Sequence, residues 1–154
     1  MTPRRRYDRP MANRKLRLLV GVDFSRESLR ALRRAIAIAG RTGGTVTAAH
    51  VRSTSDVTAA VEQERGDLLR ANPRGLSSAM ERHYARRLAS LRKPRVRTVL
   101  LRGPAGRALC AEARRGYDVL VLGSRGRGRV ASFLLGTTVQ EVLRRFPIPV
   151  LVTC

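Results

Sequence analysis

Tryptophan is absent from this chain, and aromatic residues are few, with three tyrosines and three phenylalanines among 154 residues. A protein that grips single-stranded nucleic acid by base stacking needs more rings than that. Cysteine is nearly absent too. Cys110 and Cys154 show neither a CxxC pair nor metal spacing, so a disulfide framework and a structural zinc site are both excluded. No apolar run is long enough to span a bilayer, and Met1 to Lys15 is polar and arginine-rich, without the apolar stretch of a secretory signal. These absences lead us to expect a cytoplasmic protein. Lysine is almost missing as well. Of 32 basic residues only Lys15 and Lys93 are lysines, although the net charge reaches +21. The arginines are scattered along the chain, in a ratio that resembles codon bias more than a selected polyanion groove, and nucleic acid is therefore not the expected partner.

What is present is an alternation of apolar runs and helical periods. Leu16–Val22 reads as a first, fully buried strand, and Asp23 stands at its end. Ser25 is suited to cap a helix running to about Ala39, with Leu29, Leu32, Ile36 and Ala39 on one face and Gly40 as its C-cap. Thr45–Val51 is a second strand, in which His50 reads as a packed residue. Between Arg52 and Asn72 lie Asp56, Glu62, Glu64 and Asp67, spaced as a solvated helix face rather than as a metal loop. Pro73-Arg74-Gly75 interrupts, and a helix from about Ser77 to Leu91 carries the stripe Met80, Tyr84, Leu88 and Leu91. Val96–Leu101 is a third strand. Pro104 takes the first position of a short helix ending near Gly116, and Tyr117–Leu122 is a fourth strand. A helix from Thr137 to Arg145 precedes a last strand, Ile148–Val152, whose flanking proline places it at a sheet edge.

Such alternation implies one α/β domain, residues 16–154, after a disordered basic tail of residues 1–15, with Met11 as an alternative start. Its core is a parallel sheet with helices on both faces. Right-handed crossovers put every strand's C-terminal end on one rim. Asp23 and Gly123 share that rim, and a reversal of winding between their strands opens a crevice there.

The fourth strand leads into Gly123-Ser-Arg-Gly126, and nine residues later come Gly136-Thr137. A strand, a glycine loop and a helix start are the parts of a phosphate cradle, because glycine admits close backbone approach and the helix N-terminus carries unpaired amides. The loop is not a Walker loop, which requires Gly-Lys-Ser/Thr, nor a dinucleotide fingerprint, since Gly136 comes too late. Arg125, Arg127 and Arg129 can either neutralise phosphate or point to solvent. Thr137 with Gln140 has capping-box spacing, so its hydroxyl can serve the helix or a ligand. Asp23 can cap the first helix, accept hydrogen bonds from a ribose, or do both.

The spacing Gly-x2-Gly-x9-Gly-Thr, preceded by VLVLGSRG and followed by LRRFPIPVLVTC, resembles the universal stress protein family in its ATP-binding branch. The opening VGVDFS and the second-strand ending AHV resemble that family as well. The resemblance implies a five-stranded Rossmann-like sheet in the order 3-2-1-4-5, similar to that of adenine nucleotide alpha hydrolases. It also implies a homodimer paired through the last strand, Pro149 to Thr153. Carried over, it places Gly21, Val22 and Asp23 at adenine and ribose, Val51 beside the adenine, Gly123 along the ribose, and Gly126, Gly136, Thr137 and Thr138 at the phosphates of ATP, with or without Mg²⁺. Three functions follow as alternatives: a regulatory ATP-binding module with at most slow hydrolysis, an adenylate-forming enzyme of the same fold, or a basic nucleic-acid-binding protein. The enzyme reading expects a serine- and glycine-rich turn after the first strand, where this chain has DFSRES.

Overall fold

The computed structural model describes residues 15–52, 73–125, 135–145 and 148–154, and of residues 73–80 the backbone only. Among the described residues nine elements alternate: β1 (Arg17–Gly21), α1 (Arg26–Thr42), β2 (Thr45–Arg52), α2 (Pro73–Ala89), β3 (Val96–Arg102), α3 (Ala105–Ala113), β4 (Val119–Gly123), α4 (Thr137–Arg145) and β5 (Val150–Thr153). The strands form one sheet in the order β3-β2-β1-β4-β5, and every neighbouring pair is parallel. The chain winds outward from β1 to β3 and then returns to β4 on the other side of β1. The winding reverses between β1 and β4, as expected, and β5 is an edge strand.

Apolar residues on both faces of β1 explain its central place. Leu18, Leu19 and Val20 are at most 1% exposed. Leu18, Val20 and Val22 pack with Ala31, Leu32, Ala35 and Ala39 of α1. Leu19 faces the other way, into a cluster with Leu109, Cys110 and Ala113 of α3 and Val139 and Val142 of α4. Tyr84 and Leu88 of α2 are buried, and Leu91 beyond it packs on the α1 cluster. Helices α1 and α2 therefore cover one face and α3 and α4 the other. At the N-terminal edge, the Arg17 amide donates to the Asp118 carboxylate at 2.9 Å, which ties the start of β1 to β4.

Strand ends shift by one or two residues from expectation, and three helix boundaries differ for physical reasons. Helix α1 does not stop at Gly40 but continues through Thr42, and its cap is Gly43, at φ 65°, whose amide donates to the Ala39 carbonyl. Only the left-handed conformation lets the chain turn there, and Gly43 adopts it without a Cβ clash. Helix α2 begins at Pro73 rather than near Ser77, because proline fits a helix's first turn, which needs no amide donor. Pro104 sits one position earlier than expected: it is the N-cap residue of α3, in extended conformation. The four acidic residues from Asp56 to Asp67 and residues 1–14 of the basic tail lie outside the described residues.

Candidate functional site

The C-terminal rim of the sheet is built around the turn after β1. Ser25 is the N-cap of α1, and its hydroxyl accepts from the Ser28 amide at 3.2 Å. Asp23 does not cap the helix itself. Its Oδ1 accepts from the Ser25 amide at 3.0 Å and the Ser25 hydroxyl at 2.5 Å, which fixes the cap in place. The Asp23 amide donates to the Ser28 hydroxyl at 3.3 Å. A carboxylate at a strand end, held by the turn it organises and half-exposed, is pre-oriented toward the rim. The short carboxylate–hydroxyl bond is of the charge-assisted kind.

Val22 is engaged through both of its main-chain groups. Its amide donates to the Ala49 carbonyl at 2.8 Å, and its carbonyl lies 2.7 Å from Nδ1 of His50. A carbonyl can only accept, so Nδ1 of His50 carries the proton. His50 is thus a packed residue, 2% exposed, as the sequence suggested. It packs against both Phe24 and Tyr84, at centroid distances of 5.1 and 4.3 Å, those two rings lie 6.4 Å apart, and the Arg87 guanidinium sits 4.1 Å from the Phe24 ring centroid. Phe24 adopts φ 64°, unusual for a bulky residue, and this ring stack holds it there.

Val51, one residue before the end of β2, lies on the opposite face of the sheet, within the cluster of Leu109 and Val139. Beside it, Arg52 pairs in register with Arg102 of β3, and both approach Glu81 of α2, at 3.8 and 2.5 Å. Gly21 also faces the α3 side, where an added Cβ would meet the side chains of Leu122 and Leu109.

Gly123 ends β4 against the first turn of α1. A Cβ at this position would lie 2.8 Å from the Glu27 carbonyl carbon and 3.0 Å from its carbonyl oxygen. Its missing side chain therefore serves the seating of a helix on a strand. After it, the Ser124 amide donates to the Thr153 carbonyl at 2.7 Å, and the Ser124 carbonyl accepts from the Gly136 amide at 2.9 Å. The second bond joins the two ends of the glycine loop and sets the start of α4 on the rim beside β4.

Gly136 occupies the capping position of α4, since its carbonyl accepts from the Gln140 amide at 3.0 Å. The Thr137–Gln140 capping box does not form. Thr137 is already the first helical residue and is exposed, while Gln140 Nε2 donates to the Leu135 carbonyl at 2.6 Å. In an α-helix the first amides have no carbonyl four residues back, so the turn that begins with Thr137 and Thr138 presents donors and the positive end of the dipole. Arg125 is exposed at the loop's entrance; Gly126, Arg127 and Arg129 lie outside the described residues.

The rim thus gathers Gly21, Val22, Asp23, Val51, Gly123, Arg125, Gly136, Thr137 and Thr138 from four segments of the chain. Sequence reasoning missed Ser124, whose amide and carbonyl join β4 to β5 and to α4. Its signal was available: it is the hydroxyl residue directly after the first loop glycine. Among the described residues no three His, Cys, Asp or Glu side chains gather as a metal site, and no helix is long and apolar enough to cross a membrane.

A parallel sheet wound both ways from its centre, with a carboxylate after β1 and a helix start tied to the end of β4, defines an open α/β protein, a class in which ligands bind outside the strand ends at such a reversal. Residues 16–153 match the universal stress protein family, and the chain belongs to it. Among solved structures it is similar to the hypothetical protein MJ0577, at 21% identity and TM-score 0.72, over 90% of this chain and 94% of that one. It is also similar to the universal stress protein UspA from Lactobacillus plantarum, at 27% identity and TM-score 0.63, over 92% and 99% of the two chains. A universal stress protein in complex with cAMP shares 24% identity and a TM-score of 0.57, over 90% and 96%. At 21% and 24% identity the likeness is one of fold. No curated protein matches the sequence significantly.

Proposed function

We propose that this universal stress protein is a cytoplasmic, ATP-binding regulator that holds its nucleotide across the β1–β4 reversal. One observation carries the reading: the Gly136–Ser124 bond sets the N-terminus of α4 on the same rim as Asp23. A ribose accepts its place from one side and a phosphate chain from the other. The donor set suits such a ligand, because a carboxylate accepts from ribose hydroxyls while first-turn amides donate to phosphate oxygens. Val51 borders the adenine, Gly21 and Val22 form the floor between the two strands, and Gly123 follows the ribose. Arg125, Gly126, Gly136, Thr137 and Thr138 take the phosphates, with Mg²⁺ as a companion of the triphosphate. The family relative bound to cAMP supports an adenine nucleotide as the ligand class.

The carboxylate after β1, Asp23, already serves Ser25 through Oδ1, and binding with slow hydrolysis is the expected activity. The protein pairs as a homodimer through edge strand β5, whose Leu151 is 37% exposed. ATP then regulates by binding two dimer conformations with different affinity.

Isothermal titration with ATP, ADP and cAMP tests the reading. Saturable binding of an adenine nucleotide is expected, with Asp23→Ala weakening it about 10- to 100-fold, as for a lost hydrogen bond to a charged group. At about 100 times Kd, the nucleotide should add about 2.7 kcal/mol of stability. Absence of saturable binding by folded protein, or an unaffected Asp23→Ala variant, would overturn it.

A further inference from the structure

We propose that the outward face of α1 is a second binding surface, distinct from the nucleotide rim, that takes the phosphate backbone of a nucleic-acid duplex without regard to base sequence. Along the chain the arginines look scattered, but α1 gathers five of them. Arg26, Arg30, Arg33, Arg34 and Arg41 are all exposed. At 3.6 residues per turn they fall within an arc of about 100°, opposite the buried face made by Ala31, Leu32, Ala35 and Ala39. Their span, at 1.5 Å per residue, is about 22 Å. The only acid on the helix is Glu27. None of the ion pairs among the described residues involves an α1 arginine.

The other face of the sheet is different. There Arg107 and Arg145 both approach Glu141, at 3.8 and 3.6 Å, and Arg115 approaches Glu112 at 3.5 Å. Positive charge is therefore partly neutralised in the α3–α4 layer and left standing on α1. The neighbouring α2 adds exposed Arg82 and Arg86 to the same layer. A row of guanidinium groups spaced by one helical turn is suited to phosphate oxygens, which it binds bidentately.

Two features select a duplex over other polyanions. Membrane-surface helices pair their basic face with bulky apolar residues that enter the acyl boundary. Here the large exposed hydrophobics among the described residues are Leu135 and Leu151, neither on α1. Single strands are held by base stacking on aromatic rings. Of the Phe and Tyr rings among the described residues, Tyr84 is buried, and Phe24 and Tyr117 are half-buried against neighbours. What remains is backbone contact, which fixes position but reads no sequence.

Fluorescence anisotropy with a labelled 24-base-pair duplex of random sequence, across a salt series, tests this. Each phosphate neutralised contributes about 0.9 to the slope of log affinity against log salt. The quadruple variant Arg30→Gln, Arg33→Gln, Arg34→Gln, Arg41→Gln should lose about 3–4 units of slope. A control with the same loss of charge on the other layer, Arg114→Gln, Arg115→Gln, Arg144→Gln, Arg145→Gln, should lose about 1 or less. The pairs Arg30→Gln with Arg34→Gln and Arg33→Gln with Arg41→Gln should each lose about 2, and they serve if the quadruple variant melts early in circular dichroism. Equal loss in both quadruple variants, or binding to phosphatidylglycerol vesicles without binding to the duplex, would overturn the proposal. Because the test uses no nucleotide, its failure leaves the ATP reading untouched.

Discussion

Replacing Gly123 with alanine separates two roles that one glycine can play in a strand-to-loop motif. The added Cβ would stand 2.8 Å from the Glu27 carbonyl carbon and 3.0 Å from both its oxygen and its Cβ. Ordinary carbon contacts begin near 3.5 Å. Because the nearest atom is backbone, no side-chain rotation relieves the contact, and the first turn of α1 must move off β4 by roughly 0.5–1 Å. That turn holds the Ser25 cap and the Asp23 carboxylate together, so its displacement loosens bonds as well as packing. Overpacking of this kind costs about 1–3 kcal/mol, which in a chain of this size lowers Tm by about 3–10 °C. Thermal unfolding of ligand-free protein by circular dichroism, with nucleotide titration at a temperature where both forms are folded, reads the two effects apart. A Gly123→Ala variant with unchanged Tm and lost nucleotide binding would refute the helix-seating account and make the glycine a ligand contact.

Other outcomes follow from the same geometry. Ser25→Ala removes the hydroxyl that caps α1 and donates to Asp23 Oδ1 while the backbone amide donor stays, and should cost about 0.5–2 kcal/mol in urea unfolding with an unchanged m-value. Native protein at pH 8 should release one equivalent in a thiol assay, from exposed Cys154, and two after denaturation. Burial pushes the Cys110 thiol above its usual value near 9, while Arg114 and Arg145 pull it partly back. Burial likewise raises the Tyr117 phenol above 10. Both groups are neutral when protonated, and their folded values exceed the unfolded ones. Their stabilising contribution is whole below pH 9 and is lost as pH rises through the folded values. Tm measured from pH 8 to 11 should therefore fall on the alkaline side, and less steeply in Tyr117→Phe.

Strand order and the shared rim were legible because they follow from alternation and handedness, which local patterns carry. Element ends were less so. The buried period of α1 closes at Ala39, which made Gly40 the natural stop. The helix runs on because three glycines stand within five residues, and only Gly43 has the left-handed conformation that returns an amide to Ala39. Thr137 followed by Gln140 reads as a capping box, yet the actual cap is one residue earlier, where the Ser124 carbonyl pulls Gly136 to β4. Partners remote in sequence decide such details. The stack of Phe24, His50 and Tyr84 joins the ends of two strands to a helix and has no local signature at all. The basic face of α1 was legible in part, because helical spacing sets Arg30, Arg33 and Arg34 apart from the apolar stripe; Arg41 joins them only because the helix runs on past Gly40 to Thr42.

The bond between Ser124 and Gly136 has one more implication, for how this site can diverge. Because entry and exit of the loop are knotted together at the sheet, whatever lies between them hangs from a fixed neck. Doubling the length of such a segment costs only about 0.6 kcal/mol in chain entropy. Lineages can lengthen, shorten or recharge that segment while the body beneath keeps its packing.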